Sequence, residues 1–76
     1  MDEEVEPAAV AQAASIDAIL EHFDPEEIDD LDVTARFEDG ELTLEVYLHV
    51  EGIDTAPIVT EAIERGTEAV DELFEA

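Results

Sequence analysis

The stretch LDVTARFEDGELTLEVYLHV, residues 31–50, decides the fold of this chain. Apolar side chains alternate along both of its halves, which is the pattern of two strands that bury one face. Asp39 and Gly40 separate the halves, and this pair predicts a two-residue hairpin turn because both residues accept positive φ. The turn places Phe37 opposite Leu42 and makes every inward pair apolar. A shift of one residue would set apolar side chains against polar ones, so the pattern also predicts the register.

A helix is predicted on each side of the hairpin. Residues 5–23 carry apolar side chains at steps of three and four, and residues 55–75 do the same. Gly66 lies inside the second apolar stripe, which predicts a close approach of another backbone. The expected inward stripe of the first helix consists of Val5, Ala9, Ala13, Ile16, Leu20 and Phe23, with Ile19 beside them.

The expected architecture is a single α+β domain over residues 1–76, in two layers and in the order helix, strand, strand, helix. An antiparallel β-hairpin at about residues 31–51 is covered on one face by the two helices. The acidic segment 24–30 connects the first helix to the hairpin. A domain of this length buries only about 60% of the surface that its unfolded chain exposes, so its own core is expected to be thin.

Charge is the strongest compositional feature. The chain has 24 acidic residues against two basic ones, for a net charge of −22. Such a surface repels itself in dilute buffer, and halophiles exploit this property. In about 1 M salt the Debye length falls to roughly 3 Å, so the repulsion is screened. With an acidic N-terminus and no apolar run of membrane length, the composition predicts a protein of a halophilic cytoplasm rich in K⁺.

The sequence argues against most biochemical activities. Two arginines cannot neutralise a row of phosphates, so direct nucleic-acid binding is not expected. The acidic run at residues 24–32 lacks the alternating oxygen ligands and central glycine of a calcium loop, so neither a metal nor another cofactor is expected. His49 is predicted to lie opposite Asp30 on the outward sheet face, which is half of a catalytic triad. No activated nucleophile accompanies it, so a small hydrolase is not expected either.

Residues 28–74, which include DLDVTARFEDGELTLEVYLHVEG and the terminal helix, resemble a small archaeal family known as a domain of unknown function, numbered 3194. The features that carry the resemblance are a first strand of the Leu-Asp-Val type, an alternating second strand and a last helix rich in Ala and Glu. The resemblance implies no catalytic or binding residue. It implies a housekeeping or chaperone-adjacent role, because genes of such members lie near that of a prefoldin subunit.

The remaining expectation is a non-enzymatic role in protein–protein interaction, most simply as a homodimer. Neither strand edge contains a proline or a lysine to prevent edge-to-edge pairing. The stretch AAVAQAAS, residues 8–15, is uncharged and offers a second route, through packing of one helix on another. The alternative function is an acidic mimic or adaptor for a basic partner, such as a ribosomal, RNA-modification or chaperone component. The candidate interaction surface consists of Val10, Ala11, Ala14, Ala18, Thr34, Thr43, Tyr47 and His49.

Overall fold

The computed structural model describes residues 6–75, so the predicted part played by Val5 lies outside the described residues. The elements are α1 (Pro7–His22), a 3₁₀ turn (Pro25–Glu27), β1 (Asp30–Glu38), β2 (Glu41–His49) and α2 (Ala56–Glu75). Both helices pack on one face of the β1–β2 hairpin, so the predicted α+β architecture is confirmed.

The hairpin has the register that the alternating pattern predicts. Phe37 lies opposite Leu42, and Asp30 lies opposite His49 at the far end. Asp39 has a φ of 53° and Gly40 a φ of 79°, as a two-residue turn of the type that matches strand twist requires.

Side chains from the helical layer cover part of each strand edge. Gln12 donates from Nε2 to the carbonyl oxygen of Val33 at 3.0 Å, on the edge of β1. Thr55 donates from Oγ1 to the carbonyl oxygen of Leu48 at 2.9 Å, on the edge of β2. One carbonyl on each edge is thus bonded by a side chain, although neither strand carries a proline or a lysine. Polar side chains that precede or lie within the helices satisfy edge carbonyls here, in place of proline or lysine on the strands.

The two helices approach each other through very small side chains. Ser15 Oγ donates to the carbonyl oxygen of Ala62 at 2.9 Å. A Cβ atom on Gly66 would lie 3.0 Å from the carbonyl oxygen of Ala11 and 2.6 Å from Ser15 Oγ. The close approach predicted at Gly66 is confirmed, and it explains why this helix tolerates the conformational cost of an internal glycine.

The inward face of α1 differs from the expected one. The fully buried side chains of α1 are those of Ala11, Ser15, Ala18 and Ile19. Ala9, Ala13 and Leu20 of the expected stripe are exposed instead. Helix α1 is apolar on two faces, and the face with the smaller side chains is the one that fits against Ala62 and Gly66 of α2.

Substitution of Gly66 by valine is expected to destabilise the fold by about 3 kcal/mol, at the upper end of the usual cost of overpacking a core. The branched side chain would meet Leu44 Cδ2 and Ser15 Oγ, each 2.6 Å from the Cβ position, and would push the helices apart. Thr67→Val adds valine at the adjacent, exposed position and serves as the control. Urea unfolding in molar KCl measures the stability of both variants. Equal midpoints for the two variants would contradict this description of the helix contact.

Candidate functional site

The outward face of the hairpin carries half of the predicted interaction residues. Thr34, Thr43, Tyr47 and His49 all lie there and all are exposed, with Tyr47 56% accessible. They share this face with five carboxylates, those of Asp30, Asp32, Glu38, Glu41 and Glu45, on the opposite side of the sheet from the helices. This face offers a strongly acidic surface, interrupted by one arginine, Arg36.

His49 has a carboxylate neighbour, but it is Asp29 rather than Asp30. His49 Nδ1 lies 3.6 Å from Asp29 Oδ2, and both side chains are more than half exposed. The same carboxylate oxygen accepts a hydrogen bond from the backbone N–H of Glu51 at 2.8 Å. Asp29 therefore fixes the chain where it leaves β2, which is a structural role for the pair that sequence spacing did not reveal.

An ionic cluster links α1 to α2 at the end where α1 finishes. Arg65 donates to both carboxylate oxygens of Glu21, at 2.8 and 3.1 Å, and lies 3.5 Å from Glu61. Glu61 also lies 3.0 Å from His22 Nε2. Sequence analysis missed this cluster, although Arg65 is one of only two bases in the chain.

The Arg65 guanidinium lowers the pKa of Glu21 below its ordinary value, through hydrogen bonding first and charge second. A carboxyl whose pKa is lower in the folded state stabilises that state above its unfolded pKa. The contribution is lost as the pH falls through the folded pKa. Because the pair is open to solvent, its contribution to stability is small. The cluster orients the helices and offers no reactive group.

A cavity of about 180 Å³ lies beside the hairpin turn. It is lined by Arg36, Glu38, Asp39, Glu41 and Thr43, and Arg36 Nη2 lies 3.7 Å from a carboxylate oxygen of Glu38. Its volume is below the roughly 300–1,000 Å³ of typical small-molecule sites, and those sites are largely apolar. Within residues 6–75, no group of three or more histidine or acidic side chains is placed to hold a metal ion.

The most unusual surface lies on α1. Four residues, which we call the α1 flank, form a stripe on the side of α1 that is turned away from the contact with α2: Ala9, Ala13, Ile16 and Leu20. Ala9 and Ala13 are exposed, Leu20 is 42% exposed, and Ile16 is half-buried and also packs against the core. Asp17 is the single charged residue between positions 7 and 20, in a chain with 24 acidic residues. An uncharged, partly apolar stripe on so acidic a protein is typical of a contact surface.

The predicted interaction residues do not form one surface. Ala11 and Ala18 are 0% exposed because α2 covers them within the same chain, so they cannot contact a partner. Val10 and Ala14 are half-buried beside them. The prediction for Ala11 and Ala18 was wrong for the same reason as the prediction of the inward face of α1. The small side chains that we assigned to a partner belong to the contact with α2. The four residues on the sheet lie on the other side of the molecule.

Comparison with known proteins places this architecture in a family. A family model described as "Protein of unknown function (DUF3194)" matches residues 2–75, which includes α1 as well as the part on which the resemblance rested. The chain belongs to this family. It is 41% identical over 80 residues to an uncharacterized protein of the haloarchaeon Natronomonas pharaonis, covering 97% of this chain and 96% of that protein.

Two further matches come from Pyrococcus horikoshii and Thermococcus onnurineus. An uncharacterized protein of Pyrococcus horikoshii is 38% identical over 76 residues, covering 92% of this chain and 66% of that protein. A crystal structure from Thermococcus onnurineus superposes with a TM-score of 0.76 at 30% identity, covering 99% of this chain and 84% of that one. Among the described residues, no helix has the length and apolarity needed to cross a membrane.

Proposed function

We propose that this chain is a non-enzymatic protein of the archaeal cytoplasm that acts through protein–protein contact, beginning with a contact to a second copy of itself. The observation that carries the proposal is the α1 flank, an uncharged surface with an exposed Leu20 on a chain of net charge −22. Much of the remaining surface is charged, and the other exposed large apolar side chains, Tyr47, Ile53 and Phe74, lie on three different segments rather than in one stripe. We therefore place the partner on the flank.

The geometry of the ionisable groups supports a role without catalysis. His22 is held by Glu61, and His49 faces a carboxylate that is already bonded to backbone. Both histidines are exposed to solvent, so their surroundings do not exclude water from a reaction. The small cavity by the turn is lined mainly by acids and contains neither histidine.

The proposed habitat is a cytoplasm at molar salt. The 41% identity to a protein of Natronomonas pharaonis supports it, as does the near absence of basic residues. Salt also removes the main objection to self-association, because two copies bring together twice the charge and need it to be screened.

Light scattering in about 2 M KCl, a concentration at which electrostatic repulsion is confined to a few ångströms, tests self-association directly. We expect a particle of twice the 8.3 kDa chain mass. The mass of the chain alone at high protein concentration would contradict the proposal.

The outward face of the hairpin favours the second candidate function, capture of a basic partner. The carboxylates there are exposed and include Asp30, Asp32 and Glu45. Salt dependence separates the two functions, because charge-driven capture weakens steeply as salt rises whereas apolar contact does not. Proteins that co-purify in native brine and stay bound as salt increases support the first function, and those released by salt support the second.

A further inference from the structure

We infer that the α1 flank is a self-complementary seam through which two copies pack α1 against α1 in antiparallel fashion. This inference rests on the proposed function and specifies the surface and the partner. The flank residues Ala9, Ala13, Ile16 and Leu20 are separated by four, three and four positions. This is the spacing of the a and d positions of a heptad, in which side chains of one helix insert between those of another.

A two-fold axis that crosses α1 between Ala14 and Ser15 makes the seam complementary in size. It places Ala9 opposite the partner's Leu20 and Ala13 opposite the partner's Ile16, and the two-fold repeats both pairs. Each small side chain therefore faces a large one, so the helices can approach closely without a void. An arbitrary apolar stripe is not complementary in size to itself. This self-complementarity identifies a second copy of the chain as the occupant.

The charges near the seam permit the same arrangement. Asp17 borders the flank, and the two-fold sets it near the partner's Val10 rather than near another carboxylate. Glu21, at the end of the helix, is already paired with Arg65 on the α2 side. The seam thus brings two highly acidic chains together where each presents the fewest charges.

The shape of the fold disfavours the competing edge-to-edge arrangement. Neighbouring strands lie about 4.8 Å apart, whereas packed helices lie about 8–10 Å apart, so two helices overhang both edges of a two-stranded sheet. The bonds from Gln12 and Thr55 to edge carbonyls show this overhang. A second copy that paired its β1 with β1 about a two-fold axis would keep its helices on the same face, and the two α1 helices would collide.

Cysteine cross-linking tests the seam, because the sequence contains no native cysteine. Ala9→Cys and Leu20→Cys are made as separate variants, mixed, equilibrated in about 2 M KCl and treated with a bis-maleimide that spans less than two helical turns. Positions 9 and 20 are about 16.5 Å apart along one helix, so the reagent cannot join two copies of the same variant across the antiparallel seam. We expect cross-linked dimer in the mixture and little in either variant alone.

A second mixture, Asp32→Cys with Arg36→Cys, reports the edge-to-edge arrangement centred on Thr34, in which these positions would face each other across β1 and the partner's β1. We expect no cross-link there. A dimeric mass without a cross-link between positions 9 and 20, or with one between positions 32 and 36, would overturn the seam and leave self-association standing. A monomeric mass of the unmodified chain would overturn both the seam and the proposed self-association.

Discussion

In about 50 mM salt at neutral pH, where the Debye length exceeds 10 Å, the chain is expected to lose most of its helical circular-dichroism signal. It is expected to recover the signal in molar KCl. The cause is the net charge of −22, carried by a fold in which Ile19 is the largest fully buried side chain among residues 6–75. So thin a core gives a stability that unscreened repulsion of this size can exceed.

Two controls make this measurement specific. Refolding should follow ionic strength, so NaCl should restore the signal as KCl does, because screening by simple ions depends on their charge and concentration. The Gly66→Val variant should need more salt than the unmodified chain, since it begins from a less stable helix contact. A full and unchanged spectrum in dilute buffer would show that the acidic surface is not a salt adaptation of this kind.

The hairpin could be predicted from sequence because its pattern has a single solution. Alternation has a period of two, so only one register makes every inward pair apolar, and Asp39-Gly40 fixes the turn. The close approach at Gly66 could be predicted for a related reason, because an internal glycine in an apolar stripe is costly unless a neighbouring backbone needs the space.

The orientation of α1 could not be predicted because the helix is apolar on two sides. Periodicity shows that Ala9, Ala13, Ile16 and Leu20 share one face, but it does not say what covers that face. The contact with α2 determines which face of α1 is buried, because the small side chains of Ala11, Ser15 and Ala18 let α2 approach more closely than isoleucine and leucine would. Ile16, Ile19 and Phe23 of the expected stripe do contact the core, whereas Ala9, Ala13 and Leu20 lie on the surface on which the functional proposal rests.

The contacts of polar side chains were also beyond the sequence. Nothing in local spacing places Gln12 at the edge of β1, or Asp29 between His49 and the N–H of Glu51. These bonds join positions about twenty residues apart. The first depends on how α1 lies over the edge of β1, and the others on how the chain enters β1 and leaves β2.

Substitution of Leu20 by glutamate is expected to abolish self-association. Leu20 is 42% exposed, so the substitution removes little of the core, but it would place a carboxylate against the partner's Ala9 at both ends of the seam. Ile53→Glu is the matched control, because Ile53 is 50% exposed in the segment between β2 and α2, away from the flank.

Light scattering of these two variants in about 2 M KCl, after circular dichroism has shown that both are folded, is the most direct test of the α1 flank. Self-association through this surface predicts the 8.3 kDa mass of one chain for Leu20→Glu and twice that mass for Ile53→Glu. A Leu20→Glu protein that is folded and still dimeric would contradict it.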